Sequence, residues 1–195
     1  KFYIKGFGLN PKNALLINSD EIPLANNRYR REIFPENKVD ITLRFRNAEN
    51  DKEKEQQDSI FLIDQWCAEY ENRIRSLGGI GFFLGGIGPD GHIAFNVRGS
   101  DHNSTTRLTS TNFETQAASA TDLGGIEISR NRLVITIGLG TITYNPDATG
   151  IIIAAGEAKS PIIKNSLEKL PDVRYPATAL SKLKHSCFYI TQGAA

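Results

Sequence analysis

The sequence predicts an α/β fold in which a mainly parallel sheet is flanked by helices. Apolar runs bounded by glycine or polar residues occur at residues 80–84 (IGFFL), 133–137 (LVITI) and 151–155 (IIIAA). Such runs are typical of strands that are covered on both faces. Helical patterns lie before and after them. The length of 195 residues fits one domain, which we expect to span residues 1–195.

The longest helix is predicted over residues 53–77, where apolar side chains recur at steps of three and four. The pair Gly78-Gly79 is a typical helix stop. A second helix is expected at residues 160–169. Three further strands are expected: a buried strand at 13–19 (NALLINS), an edge strand at 39–45 (VDITLRF) and a last strand at 187–191 (CFYIT).

The composition is that of an ordinary globular protein, with 39% hydrophobic and 23% charged residues. The 23 Lys and Arg residues nearly balance the 22 Asp and Glu residues. Because no strong basic field results, we expect neither nucleic acid nor a membrane surface as a partner. We find no signal peptide and no apolar run long enough to span a membrane.

The two cysteines, Cys67 and Cys187, lie in an apolar helix pattern and an apolar strand pattern. Their spacing matches neither a disulfide framework nor a zinc site, so we expect buried, reduced thiols and a cytoplasmic protein. The sequence contains no Met. It therefore reads as a fragment or trimmed domain of something longer.

Polar residues follow three of the predicted strands: Asp20, the loop at residues 85–92, and residues 138–141 (GLGT). In parallel α/β sheets, ligands bind beyond the carboxyl ends of the strands. We therefore expect these three segments to converge on one site.

The loop at residues 85–96 (GGIGPDGHIAFN) carries the strongest chemical signal. Its glycines, among them Gly86, Gly88 and Gly91, permit a tight turn and close approach of a ligand to backbone N–H groups. A carboxylate beside an imidazole orients the ring and prepares it for acid–base chemistry, so Asp90 and His92 are candidate catalytic residues. The alternative is that both side chains merely cap a turn. The loop lacks the glycine spacing of a dinucleotide-binding loop.

This loop resembles the signature of the glucosamine-6-phosphate deaminase/isomerase family. The resemblance extends over roughly residues 60–195, through segments 105–107 (TTR), 156–159 (GEAK) and 175–177 (YPA). It implies a modified Rossmann-like fold and conversion of glucosamine 6-phosphate to fructose 6-phosphate and ammonia, with no metal or nucleotide cofactor. Many such enzymes are oligomers, which leaves a homo-oligomer open. The related 6-phosphogluconolactonases have a similar loop but continue with Thr-Ala-Ser after its histidine.

The resemblance also assigns roles to residues. Asp90 and His92 match the pair that opens the sugar ring, with His92 serving the ring oxygen. Asp20, in the segment 18–21 (NSDE), matches the base that moves a proton between C2 and C1. Lys159 matches a lysine that holds the substrate phosphate, and Arg107 is a second candidate for that phosphate.

Three departures from the family pattern leave other functions open. By ungapped counting, a family arginine that clamps the phosphate falls at Thr121. Val97 stands where the family usually has a glutamate that completes an Asp–His–Glu arrangement, although Arg98 or His102 are candidates to fill the gap. Residues 1–13 also lack the first strand and the Ser/Thr-Gly-Gly phosphate loop of the family, so an N-terminal part of the fold is expected to be missing. The alternatives are a sugar-phosphate-binding or regulatory module without turnover, and a hydrolase of the 6-phosphogluconolactonase type.

Overall fold

The fold is taken from a computed structural model that describes residues 2–123, 125–126 and 133–195. The described strands are β1 (Phe82–Gly86), β2 (Arg107–Ser110), β3 (Leu133–Thr136), β4 (Thr149–Ala154) and β5 (His185–Ile190). The described α-helices are α1 (Arg30–Ile33), α2 (Asp51–Ser76), α3 (Phe113–Leu123), α4 (Leu139–Ile142) and α5 (Ser160–Glu168). Short 3-10 helices lie at Pro11–Asn13, Ser19–Glu21, Ala25–Asn27, Pro35–Asn37, Ile41–Arg44, Glu157–Lys159, Pro176–Lys182 and Gln192–Ala194, and a π-helix at Phe2–Gly6.

The main sheet is parallel and has the strand order β1-β4-β5. Helices flank it, which confirms the predicted fold class. Its three strands correspond to the runs predicted at residues 80–84, 151–155 and 187–191. The predicted helix at residues 160–169 is confirmed as α5.

Helix α2 confirms the predicted long helix within two residues at its start and one at its end. The side-chain oxygen of Asn50 accepts a hydrogen bond from the Glu53 N–H at 3.0 Å and caps the first turn. Gly78 and Gly79 both adopt φ of +88° directly after the helix, a conformation that glycine reaches without strain. The glycine pair therefore ends the helix as the sequence indicates.

Two predicted strands are wrong. Residues 14–18 are irregular, Leu16 is 66% exposed, and the segment leads into the 3-10 turn Ser19–Glu21. Residues 41–44 also form a 3-10 turn, because the Asp40 carboxylate accepts hydrogen bonds from the N–H and hydroxyl of Thr42. Local side-chain caps of this kind compete with strand formation, and neither segment pairs with any of the described strands.

The run at residues 133–137 is a strand but not part of the parallel sheet. It forms β3, which pairs antiparallel with β2 in a separate two-stranded sheet. Strand β2 was not predicted, because the strand is only four residues long and its residues are mostly polar. Sheet membership depends on the partner strand, which the apolar run alone does not specify.

The described residues cover the parallel sheet on one face only, contrary to the prediction of strands buried on both sides. Leu84, Ile153 and Tyr189 are 50%, 54% and 60% exposed on the open face. Cys187 lies two residues before Tyr189 on β5, on the same open face, and is exposed. The prediction of a buried thiol is therefore wrong for Cys187, whereas Cys67 is buried as predicted. Both thiols are free.

Two apolar clusters form the core of the described residues. One lies under the covered face of the parallel sheet and includes Ile93, Ile152 and Ile162. The other joins α2 to the N-terminal segment and to β2, and includes Phe34 and Ile60. The loop that follows β1 lies in the first cluster, which positions it for the site described next.

Candidate active site

The loop after β1 folds back on itself in a tight turn. The Gly88 N–H donates to the His92 carbonyl at 3.0 Å, and the Gly91 N–H donates to the Gly88 carbonyl at 3.0 Å. Gly91 adopts φ of +85°, and Ala94 adopts φ of +51°. A single bridge between Ile87 and Ile93 closes the turn and buries both isoleucines. The turn therefore holds residues 88–92 in one defined conformation.

Asp90 and His92 meet inside this turn. The Nδ1 atom of His92 lies 2.5 Å from Oδ1 of Asp90. The Asp90 side chain is 1% exposed and the His92 side chain is 15% exposed. Asp90 and His92, hereafter the dyad, thus combine a buried carboxylate with an imidazole that solvent partly reaches.

Asp90 is held in its ionised form. Burial alone would raise its pKa, but hydrogen bonds from His92, the Arg98 backbone N–H and the Asn112 amide more than offset this and hold the pKa well below its ordinary value. An ionised carboxylate can only accept hydrogen bonds, so the imidazole proton must lie on Nδ1. In the neutral ring, Nε2 then carries the lone pair and is the atom available for proton transfer.

Glycine is required at two positions in the loop. A Cβ atom at Gly88 would overlap with the imidazole ring of His92. A Cβ atom at Gly91 would lie 3.1 Å from Cγ1 of Ile162 on α5, at a φ that other residues rarely adopt. Gly86 is less constrained, because a Cβ there would meet only the Ile153 carbonyl at 3.7 Å. The structure thus shows a packing reason for Gly88 and Gly91, and none for Gly86.

Arg107 is joined to the loop through Asn96. Its Nη1 atom donates to Oδ1 of Asn96 at 2.8 Å and to the Thr105 carbonyl at 3.3 Å, and Nη2 donates to the Ser100 hydroxyl at 3.3 Å. Asn96 is fully buried. Burial lowers the pKa of Arg107, with Asp101 acting in the opposite direction. These contacts hold the segment after the dyad in place, a role separate from binding a phosphate.

Lys159 and Asp20 lie outside the loop. Lys159 occupies the position before α5, the helix whose Ile162 packs against Gly91, and is half-buried. Asp20 is exposed, and its backbone N–H bonds locally to the side chain of Asn18 at 3.2 Å. Within the described residues, no hydrogen bond connects Asp20 to the dyad.

A cavity of about 520 Å³ lies between the N-terminal segment, α2 and the strands β2 and β3. Its wall is mostly apolar and includes Ser19, next to Asp20, as well as Arg30 and Arg31. Phe95 also lines it, and the Phe95 ring stacks on His92 with the ring centroids 6.4 Å apart. Neither Asp90 nor His92 forms its wall, so the Phe95 ring lies between the cavity and the dyad, while Ser19 places the turn that carries Asp20 at the cavity wall.

Two residues at the start of α3 contact the dyad and were not predicted. The Asn112 amide donates to Oδ2 of Asp90 at 2.6 Å, and the Thr115 hydroxyl lies 3.1 Å from Nδ1 of His92. An asparagine ahead of a helix is a recognisable N-cap signal. Its contact with a residue 22 positions earlier is a tertiary feature that this signal does not contain.

The gap left by Val97 is not filled in the predicted way. Arg98 reaches Oδ2 of Asp90 through its backbone N–H at 3.2 Å, while its side chain is exposed. His102 is buried, its carbonyl accepts a hydrogen bond from Lys182 at 3.4 Å, and its pKa is lowered by burial and by the Lys182 charge. The described contacts of His102 do not include the dyad.

Comparison with known proteins finds similarity to glucosamine-6-phosphate deaminases and isomerases. The chain is 36% identical over 118 residues to a glucosamine-6-phosphate isomerase of Candida albicans, covering 60% of the chain and 48% of that protein. It is 36% identical over 124 residues to a glucosamine-6-phosphate deaminase of Borreliella afzelii, covering 64% of the chain and 46% of that protein. A solved monomeric glucosamine-6-phosphate deaminase of the NagB superfamily matches with a TM-score of 0.62 and 27% identity, covering 76% of the chain and 55% of that structure.

In sequence and in structure, the chain is therefore similar to glucosamine-6-phosphate deaminases. It spans about half the length of the curated deaminases and isomerases that it matches. No protein-family model matches it. Among the described residues, no helix is long and apolar enough to cross a membrane, and no three His, Cys, Asp or Glu side chains are grouped to hold a metal ion.

For a deaminase relative, the structure brings only part of the predicted site together. Asp90, His92, Gly88 and Gly91 form one loop, and Arg107 is joined to it through a shared partner. Gly86 ends the strand that leads into the loop. Lys159 precedes a helix that packs on the loop, and Asp20 stands apart from it.

Proposed function

We propose that this protein is a glucosamine-6-phosphate deaminase-like enzyme, which converts an amino-sugar 6-phosphate to a ketose phosphate and ammonia. The observation that carries the proposal is the buried Asp90 carboxylate bonded to His92 in the glycine loop of a deaminase relative. Because Asp90 holds the proton on Nδ1, Nε2 of His92 is set to exchange a proton with the ring oxygen of the sugar. That exchange opens the ring.

The later steps need a base and a phosphate anchor. In the proposed reaction, Asp20 takes the proton from C2 of the open sugar while the C1 oxygen gains a proton from solvent, which gives an enolamine. Asp20 then returns its proton to C1 while the amine loses a proton to solvent, which leaves an imine at C2. Water then hydrolyses the imine to a ketone and ammonia. Lys159 and Arg107 are proposed to hold the substrate phosphate. The glycines Gly86, Gly88 and Gly91 are proposed to leave room for the substrate beside the loop. The position of Ser19 on the cavity beside Phe95 supports the choice of Asp20.

The proposal includes a small-molecule sugar phosphate as partner and a cytoplasmic location, which the two free thiols support. The reaction that we propose uses no cofactor, and neither nucleic acid nor membrane has a part in it. It extends to one α/β domain over residues 1–195, whether alone or within a longer protein.

Ammonia release from glucosamine 6-phosphate by the purified protein tests this function. We expect Asp90→Asn to lower the rate by about 100-fold or more, because loss of acid–base catalysis costs that much. Asp101→Asn is the matched control, since Asp101 is exposed and its carboxylate caps a local turn at the Asn103 N–H. Unchanged release by Asp90→Asn would reject the role of the dyad.

A second candidate is a sugar-phosphate-binding module without turnover. It is favoured by the exposure of Asp20, which leaves the proposed base without a described contact to the dyad. Calorimetric binding of a hexose 6-phosphate, with no ammonia formed by the parent protein, would support this candidate. Turnover by the parent protein would eliminate it.

A further inference from the structure

Asn112 uses both atoms of its amide, and each bond serves a different part of the molecule. Its Oδ1 atom accepts a hydrogen bond from the Thr115 N–H at 3.0 Å, which caps the first turn of α3. Its Nδ2 atom donates to Oδ2 of Asp90 at 2.6 Å. The start of α3 is thereby tied directly to the carboxylate of the dyad.

The two oxygens of Asp90 have separate partners. Oδ1 faces His92, accepting from Nδ1 and, at 3.4 Å, from the backbone N–H. Oδ2 faces the Asn112 amide and the Arg98 backbone N–H. Because Oδ2 is held from the opposite side, the carboxylate plane cannot turn without losing a bond, and Oδ1 stays directed at the imidazole.

A residue of α3 also contacts the imidazole of His92. The Thr115 hydroxyl lies 3.1 Å from Nδ1 of His92, and Thr115 is itself buried. The same helical turn therefore contacts both members of the dyad. Val97 has no polar side-chain atom with which to orient either of them.

We infer that Asn112 and Thr115 are positioning residues of the Asp90–His92 dyad, which supply from α3 the orientation that Val97 cannot provide. This inference deepens the proposed function and rests on it for its catalytic consequence. Neither residue is proposed to contact the substrate. They act by holding the carboxylate and the ring in the orientation that leaves Nε2 free for proton transfer.

Asn112→Asp separates positioning from helix capping. Aspartate keeps the oxygen that caps Thr115 but removes the donor to Asp90 and places a second carboxylate beside it. We expect kcat for ammonia release to fall at least tenfold with little change in KM, because the dyad acts on the chemical step. Asn50→Asp is the control, since Asn50 caps α2 through the same bond to the Glu53 N–H. Equal kcat values for the two variants would overturn the inference.

A second readout does not depend on turnover. Removing the Asn112 donor and adding a like charge are both expected to raise the pKa of Asp90, which can be followed by carbon-13 NMR of the side-chain carboxyl. An unchanged Asp90 titration in folded Asn112→Asp would refute positioning. If the parent releases no ammonia, the proposed function fails while this titration still decides the inference. If Asn112→Asp does not fold, Asn112→Ser, which also retains a capping oxygen, is titrated in its place.

Discussion

Gly88 shows how one small residue determines the geometry of the dyad. The imidazole of His92 packs against the Gly88 backbone at a distance that leaves no room for a Cβ atom. The same glycine closes the turn through its N–H and its carbonyl. The His92 ring therefore lies between the backbone of Gly88 and the Asp90 carboxylate, in contact with both.

At this scale we expect Gly88→Ala to displace the ring and break the bond to Asp90. The cost in unfolding free energy is expected to be about 1–3 kcal/mol, as for other overpacked sites. Gly86→Ala is the control, because its Cβ has space, and we expect it to stay within about 1 kcal/mol of the parent. Urea denaturation measures both. Equal stability of the two variants would contradict the packing described for His92.

Glu71 links three elements at the scale of secondary structure. It lies on α2, is 5% exposed, and its Oε2 atom accepts bonds from the hydroxyls of Thr106 and Thr141 at 3.1 and 2.7 Å. Oε1 accepts from Arg75 at 2.9 Å. Burial would raise the pKa of Glu71, but these hydrogen bonds outweigh it and lower the pKa. The long helix is thereby fastened to the segments that flank β2 and β3.

Glu71→Gln is expected to lower the unfolding free energy at neutral pH by about 1–3 kcal/mol, because buried donors lose a charged acceptor. The depressed pKa means that the ionised carboxylate contributes stability above its unfolded pKa and loses it as pH falls. The difference from the parent should therefore narrow as the pH drops through about 4.3 and below. Chemical denaturation at several pH values measures it.

Glu69→Gln serves as the control for that series, since Glu69 is exposed on the same helix. We expect its stability to remain within about 0.5 kcal/mol of the parent at every pH. The difference in unfolding free energy between Glu71→Gln and the parent could instead stay constant or widen as the pH falls. Either result would show that Glu71 is not an ionised hydrogen-bond acceptor.

For the whole molecule, the open face of the parallel sheet is the dominant surface feature. Phe82, Leu84, Ile153 and Tyr189 stand on three neighbouring strands and are each at least half exposed. Strand β1 pairs with β4 alone among the described strands, so its outer edge is also unpaired. Contiguous apolar patches and free strand edges of this kind promote association.

We expect this 195-residue chain to bind an apolar dye and to self-associate in light scattering. The double variant Leu84→Lys with Ile153→Lys should reduce both signals, because it places charge in the centre of the face. Leu170→Lys is the control, since Leu170 is 86% exposed away from the sheet. A control that lowers the signals as much as the double variant would show that the open face is not responsible.

Much of the central architecture could be predicted from local pattern. Helix α2 was predictable because its apolar period and its glycine stop are both local features of the sequence. The dyad was predictable for the same reason, since Asp90 and His92 are two residues apart and Gly88 and Gly91 shape the turn between them. The strand predictions at residues 13–19 and 39–45 were wrong. An asparagine or aspartate side chain caps a 3-10 turn in each segment, and none of the described strands pairs with either segment.

The sequence by itself therefore determined the features whose physics is local: the positions of the three parallel strands, the two longer predicted helices, and the glycine turn that joins Asp90 to His92. The tertiary structure alone decided which strands share a sheet, that one sheet face is open, and that Asn112 and Thr115 meet the dyad from a helix far along the chain. Among the described residues, it also shows no hydrogen bond between Asp20 and the dyad. These features depend on contacts between distant residues, whose partners no single segment specifies.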